Sequence, residues 1–389
     1  MNSYRLIATF LTATVAVFAL VACGSGGVNS SMPGMTSNSV SQPVGNAAVD
    51  SDTSVDNDPD DENSVLDRLD DMKTIGSTVD PINGDQNPYG LDVAKIDAGK
   101  LKRGDLVVCN FNNSANVQGT GTTIIALHPK VGSTPLHITQ NASLNGCTEV
   151  ALGSADDIWA SAFSANDNPI VGPDGTLFTT LAGGPWHGPF GQTFAPHAGP
   201  FGVAAFYESN AGDGSIVRIN ITAGGAFTFD VIATGFPVNH GVPGSILGPS
   251  GLQYDCKHDR LFIVDGTNNA LYSFRHVSTI PAGGITVSGT TFSGPFRKRA
   301  KLIFMGAPLN GPISSALFFN GHLALGNTLD PAGKNLIVEI TPHGKVLDVK
   351  NVDTGPGAAL FGMVATGEGN DTKLYFNDDN DNTLRVLRP

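Results

Sequence analysis

Short apolar runs separated by Gly, Asn, Asp and Pro recur along the chain from Asn87 onward, and each reads as a β-strand bounded by turns. The clearest unit is the stretch 247–274. It reads Leu-Gly-Pro-Ser-Gly-Leu-Gln-Tyr-Asp, then Arg-Leu-Phe-Ile-Val-Asp-Gly-Thr-Asn-Asn, then Ala-Leu-Tyr-Ser-Phe, which predicts three strands joined by hairpin turns. Related units place strands at 87–93, 104–110, 122–127 and 136–139, and then at 158–162 and 176–181 around a turn at 172–175. A third unit covers 188–194, 201–207, 215–221 and 227–233. The fourth is the stretch already described, extended by 285–292 and 300–304. The fifth covers 311–319, 322–326, 335–340 and 346–352, and the sixth 361–365, 373–376 and 383–387.

A period of roughly 40 to 60 residues with four short strands is the mark of propeller blades. The expected fold is therefore all-β, a six-bladed β-propeller of four-stranded antiparallel blades. The sixth unit has room for only three strands before the chain stops, while an unpartnered strand at 73–79 precedes the first unit. Supplying the missing outer strand from the N-terminus would close the ring and remove an exposed edge. Just before that strand, residues 64–72 have the spacing of one or two helical turns. The second strands share a register: Leu106, Leu261, Leu323 and Leu374 are each followed four residues later by Asn110, Asp265, Asn327 or Asp378. A short polar side chain there can bond the backbone of its own hairpin loop.

The recurring Pro-x-Gly-hydrophobic opening, at Pro88-Tyr89-Gly90-Leu91 and Pro249-Ser250-Gly251-Leu252, resembles the NHL-repeat and SMP-30-like group of six-bladed propellers. The resemblance covers residues 87–389. It implies a fold rather than a function, because that group includes lactonases, lyases and plain binding scaffolds.

Composition supports a turn-rich β protein: 48 Gly and 24 Pro in 389 residues are interleaved with Val, Ile, Leu and Phe. Three divisions follow. Residues 1–22 are a leader with Arg5 near the front and an apolar run behind it, ending in Leu20-Val21-Ala22-Cys23. Those four residues resemble the lipobox of bacterial lipoproteins, which implies lipidation at Cys23 and membrane attachment through that lipid. Gly24 in the next position points to outer-membrane sorting in the cell envelope. Residues 23–63 are an acidic tether too poor in apolar groups to order themselves. The acidity is local, since residues 50–73 alone carry −8 of the chain's −13. Residues 64–389 are the propeller. Nucleic acid is not an expected partner, because the one basic cluster, Arg297, Lys298, Arg299 and Lys301, reads as a charged outer strand.

Candidate chemistry is sparse. Cys109 and Cys147 are the disulfide candidates, leaving Cys256 as a free thiol. His187 and His240 fall in loops that lead into innermost strands and are the candidate catalytic pair. Asn87, Tyr89, Asp157, Trp159 and Trp186 are the ligand-face candidates. Asp378, Asp379 and Asp381 form an oxygen-rich run that suits Ca²⁺ without the spacing of an EF-hand, and no other cofactor is expected. The expectation is a monomeric binding scaffold for a glycan, peptide or protein. The alternative is a lactonase-like hydrolase or lyase at the channel mouth, working with or without a divalent ion.

Overall fold

In the computed structural model of the protein, the described residues are 63–196, 204–222 and 225–389. They form six blades around a central axis. Strand β1 (Asp71–Ser77) leads in. Blade 1 is β2 (Gln86–Val93), β3 (Leu106–Asn112), β4 (Thr123–Leu127) and β5 (Leu136–Gln140). Blade 2 is β6 (Cys147–Leu152), β7 (Ile158–Ala162), β8 (Pro169–Val171) and β9 (Leu177–Thr180). Blade 3 is β10 (Pro189–Ala195), β11 (Ala205–Asn210), β12 (Ser215–Ile221) and β13 (Phe227–Thr234). Blade 4 begins with β14 (Pro249–Asp255), β15 (Arg260–Asp265) and β16 (Ala270–Arg275). A hairpin of β17 (Ile285–Ser288) and β18 (Thr291–Ser293) follows, and β19 (Ala300–Met305) completes that blade. Blade 5 is β20 (Pro312–Leu317), β21 (Leu323–Asn327), β22 (Asn335–Ile340) and β23 (Val346–Asp353). Blade 6 is β24 (Leu360–Thr366), β25 (Lys373–Asp378) and β26 (Thr383–Arg388), with β1 as its outer strand.

The ring closes as the strand count requires: β1 pairs antiparallel with β26, from Asp71 opposite Arg388 to Ser77 opposite Thr383. The expected helical turns shrink to a single 3₁₀ turn over Leu66–Arg68, and the strand starts two residues early. A second difference concerns 285–292. That segment was expected in blade 4, yet β17 runs parallel to β13 and extends the outer edge of blade 3. Ile285 and Val287 thereby enter the apolar core between blades 3 and 4, and the edge of β13 is covered. In blade 2, β6 and β8 fill in strands that the pattern left blank.

Each pair of neighbouring blades shares its own apolar core, and a seventh cluster lies on the axis. The Pro-x-Gly opening follows from this geometry. Successive innermost strands converge on the axis, and at Gly90 an added Cβ would stand 2.6 Å from the Val150 nitrogen on the next blade. Gly251 is similarly pressed against blade 5, where a Cβ would come within 2.9 Å of Ser315 Oγ. The shared register of the second strands is equally physical: Pro88, Pro249, Pro312 and Leu360 stand opposite Asn110, Asp265, Asn327 and Asp378. The two aspartates accept from their own hairpins, Asp265 Oδ1 from Thr267 N (2.9 Å) and Asp378 Oδ1 from Asn380 N (3.1 Å). The asparagines do something different. Asn327 Nδ2 donates to Pro308 O (2.8 Å) and Asn110 Nδ2 to Thr78 O (3.1 Å), tying down the loop ahead of the innermost strand. An amide can donate to a carbonyl there and a carboxylate cannot.

Cys109 on β3 and Cys147 at the start of β6 are joined by a disulfide with Cα atoms 6.0 Å apart, stapling blade 1 to blade 2. Cys256 lies half-buried in the β14–β15 turn and is not a free thiol, contrary to the expectation for it. With the bridged positions 38 apart in sequence, replacing both Cys109 and Cys147 with Ser is expected to cost about 4 kcal/mol in the chain-entropy model. Urea titration of the double variant checks this. An unchanged midpoint would show that the bridge adds nothing to packing already in place.

The N-terminal segment is hooked onto blade 5. Glu339 on β22 is fully buried, and its carboxylate accepts from Ser64 Oγ (2.6 Å), Val65 N (3.0 Å) and Leu66 N (2.8 Å). His322 Nδ1 lies 2.7 Å away on the same carboxylate. Burial alone would raise this acid, but the hydrogen bonds from His322, Ser64 and the two backbone amides outweigh it and hold its pKa below the ordinary 4.5. Lys350 Nζ completes the hook by donating to Leu66 O (2.8 Å) and Leu69 O (2.7 Å).

Candidate site at the channel mouth

The face carrying the connections into the innermost strands is here the top, and the opposite one the bottom. At the top, the residues that follow the opening proline turn onto the axis. Tyr89 stacks between Phe111 and Phe361, with ring centroids 4.2 and 3.9 Å away. Phe190 meets it edge-on at 6.4 Å, and Ile246 and Ile313 complete the floor. The channel is therefore closed at this level by packed apolar groups. The connection 235–248 crosses above this floor. Its Pro243 and Gly244 reach Gly119 and Gln118 on the β3–β4 hairpin of blade 1, on the far side of the ring. Asn239 holds the crossing segment in shape, its Oδ1 accepting from Gly241 N (2.8 Å) and Leu247 N (2.9 Å).

One carboxylate stands at the edge of the floor. Asp379 follows β25, and its backbone N donates to Ala359 O (2.9 Å) beside the start of β24. Burial first, and then the neighbouring Asp378, push its pKa up to about 7. Burial first, and then the Asp379 charge, raise the Tyr89 phenol, and Asn377 Nδ2, on the strand that leads to Asp379, donates to Tyr89 O (3.3 Å) and Gly90 O (3.1 Å). No hydrogen bond or ion pair engages either the Asp379 carboxylate or the Tyr89 hydroxyl among the described residues.

The three aspartates weighed as Ca²⁺ ligands do not converge. Arg385 takes Asp378 (3.0 Å) and Asp381 (2.8 Å), leaving Asp379 apart. Among the described residues no group of three or more His, Cys, Asp or Glu could hold a metal ion. His187 Nε2 lies 3.8 Å from Asp213 on an exposed hairpin, and His240 sits at positive φ on the crossing connection. No shared carboxylate links them.

Of the ligand-face candidates, Asn87 and Tyr89 reach the mouth region. Asn87 is buried with φ of 61°, and its N donates to Asn382 Oδ1 (2.7 Å). The others do not join them. Trp159 is packed between blades 2 and 3 with its ring on Phe206 (3.9 Å), and Trp186 is buried with Nε1 donating to Leu181 O (2.8 Å). Asp157 is on the bottom face and accepts from Trp159 Nε1. Cys23, the leader and the tether up to residue 62 lie outside the described residues.

One layer below the floor, the channel wall carries acids that the sequence pattern did not single out. Glu149 on β6 accepts at Oε1 from Leu91 N (3.0 Å) and Val150 N (3.1 Å), and burial pushes its pKa up to about 8. Glu208 on β11 is fully buried, with Oε2 accepting from Asn168 Nδ2 (2.9 Å). Burial drives it well above the carboxylate range, and the Glu149 charge pushes the same way. Burial thus favours the protonated form of each acid, in a polar layer beside Gln192, whose amide atoms have no hydrogen-bond partner among the described residues.

No family model matches the chain, and no curated protein matches it. Among solved structures it is similar to a catalytically inactive variant of virginiamycin B lyase from Staphylococcus aureus with quinupristin, at 16% identity and TM-score 0.46, over 82% of this chain and 88% of that one. A streptogramin B lyase structure gives 16% identity and TM-score 0.47 over 84% and 89% of the two chains. A nidogen/laminin complex gives 15% and 0.49 over 72% and 84%.

Proposed function

We propose that this protein is a lipid-anchored propeller of the bacterial cell envelope, sorted to the outer membrane, that works as a binding scaffold with its ligand taken at the channel mouth. The observation that carries the reading is the pairing of a closed apolar floor with two polar groups, Tyr89 Oη and the Asp379 carboxylate, that no described residue engages. Ligand sites are mostly apolar with a few fixed polar groups, and this mouth has that composition. A convergent catalytic set is missing among the described residues, because His187 and His240 share no partner.

Binding is expected to show as retention of the chain from residue 24 on glycan or peptide arrays, weakened at least tenfold by Asp379→Asn. Retention insensitive to both Asp379→Asn and Tyr89→Phe removes the mouth as the site. The anchor is tested separately, by metabolic labelling with an alkyne fatty acid that Cys23→Ser should abolish. A second reading, a hydrolase or lyase at the same mouth, is favoured by Asp379 alone, whose pKa near 7 suits a general base. Turnover of a lactone or ester panel, lost in Asp379→Asn, would select it.

A further inference from the structure

We infer that the ligand at this mouth carries a cationic group, a protonated amine or guanidinium, that seats against Asp379 and the Tyr89 hydroxyl. The inference rests on the mouth being the binding site and names the chemistry of its ligand.

Four observations carry it. Basic charge is segregated between the two faces. In the top-face connections and hairpins Lys334 is the only Lys or Arg, against Asp80, Asp85, Asp167, Asp213, Asp330, Asp379 and Asp381. The bottom-face connections carry the basic residues, among them Lys100, Lys102, Arg103, Lys130, Lys298 and Lys345, alongside acids such as Asp97, Asp157, Asp174 and Asp371, so the basic charge alone is segregated. The top therefore presents a negative potential that draws cations and repels anions on approach.

Second, within the acidic run of blade 6 only Asp379 is left without a counter-charge. Arg385 neutralises Asp378 and Asp381, and no described cation reaches the Asp379 carboxylate. A partly buried carboxylate without a cation is unfavourable, and a ligand that brings one removes that cost.

Third, Tyr89 is 5% exposed, and its hydroxyl finds no hydrogen-bond partner at the surface of an otherwise apolar plug. That hydroxyl is not enclosed like the Tyr207 hydroxyl, so it can exchange water for a donor or acceptor that a ligand brings. An ammonium offers three donors, enough for the carboxylate and the phenol oxygen together.

Fourth, the surroundings are apolar. Phe361, Phe111 and Ile313 keep water from the floor, which strengthens the attraction between one carboxylate and one cation over its value on an open surface.

The test uses the chain from residue 24 and calorimetric titration with trilysine amide, its Nε-acetylated counterpart and a neutral oligosaccharide. Trilysine amide is expected to bind, at least tenfold more weakly to Asp379→Asn than to the parent, and more weakly in 0.5 M than in 0.05 M salt. Asp371→Asn, on the bottom face, should bind like the parent. Acetylated peptide binding as tightly as trilysine, or Asp379→Asn binding trilysine like the parent, would overturn the inference. If the acetylated peptide or the oligosaccharide binds and Tyr89→Phe weakens it, the mouth stands as the site and only the cationic requirement falls. If no probe responds to Asp379→Asn or Tyr89→Phe, both the inference and the site fall.

Discussion

Replacing Glu149 with Gln is expected to raise the melting temperature by several degrees at pH 9 and to leave it nearly unchanged at pH 4. The native pKa of about 8 lies above the ordinary 4.5, so the folded protein holds a proton that the unfolded chain releases. Stability from this group is complete below pH 4.5 and is lost as pH rises from there to about 8. The full span corresponds to at most about 5 kcal/mol, at 1.36 kcal/mol for each pH unit. Glutamine keeps an oxygen for Leu91 N and Val150 N and cannot ionise, so the variant escapes the loss. Glu208→Gln should act in the same direction, since its pKa is raised by the same burial. Thermal denaturation of the parent and both variants across pH 4 to 9 checks this. A difference between Glu149→Gln and the parent that does not change with pH would show that the acid is already ionised in the fold.

The second large effect is expected at neutral pH and fades in acid. Glu339→Ala should destabilise the protein by roughly 3 to 5 kcal/mol, because Ser64, Val65, Leu66 and His322 lose a common buried acceptor. Leu66 and Leu69, both buried between blades 5 and 6, would lose their hold with it. The native pKa of Glu339 is below the ordinary value, so the hook's contribution is present above pH 4.5 and disappears as pH falls through the native pKa. The urea midpoint of Glu339→Ala should thus approach that of the parent in strong acid. Limited proteolysis at pH 7 should release residues 63–77 from the variant and not from the parent. A variant with the parent's midpoint and cleavage pattern would place the closure in β1–β26 pairing alone.

These two acids show what the sequence could and could not convey. Blade count and the closing role of β1 were legible because period-2 apolar runs and turn residues are local signals, whereas β6 and β8 left too weak a pattern to be placed. The Pro-x-Gly opening was legible as a repeat, although its cause, Gly90 meeting the next blade at Val150, is a contact between units. Residues 285–292 were assigned to the neighbouring unit because strand pairing across a long connection leaves no mark in the order of residues. Trp159 and Trp186 looked like rim aromatics because a large apolar ring reads the same in a blade interface as in a binding face. Glu149, Glu208 and Glu339 were invisible for the converse reason. A glutamate on an alternating strand reads as solvent-facing, and only the ring's convergence buries it. Asp379 stood in the sequence as one of three equivalent carboxylates, and the guanidinium of Arg385, six residues on, separates it from the other two.

The way the N-terminal segment enters the fold also has a mechanical side. Ser64 and Leu66 are pinned to blade 5, and β1 then lies along the length of β26, the last strand of the chain. Tension applied ahead of Asn63 would reach the Glu339 hook before it reached the sheet. Beyond the hook, a pull directed along β1 would load the β1–β26 hydrogen bonds together in shear rather than opening them one at a time. The ring is thus fastened at the point where a tethered propeller would bear its load, and the mouth, built from other connections, would be spared the strain.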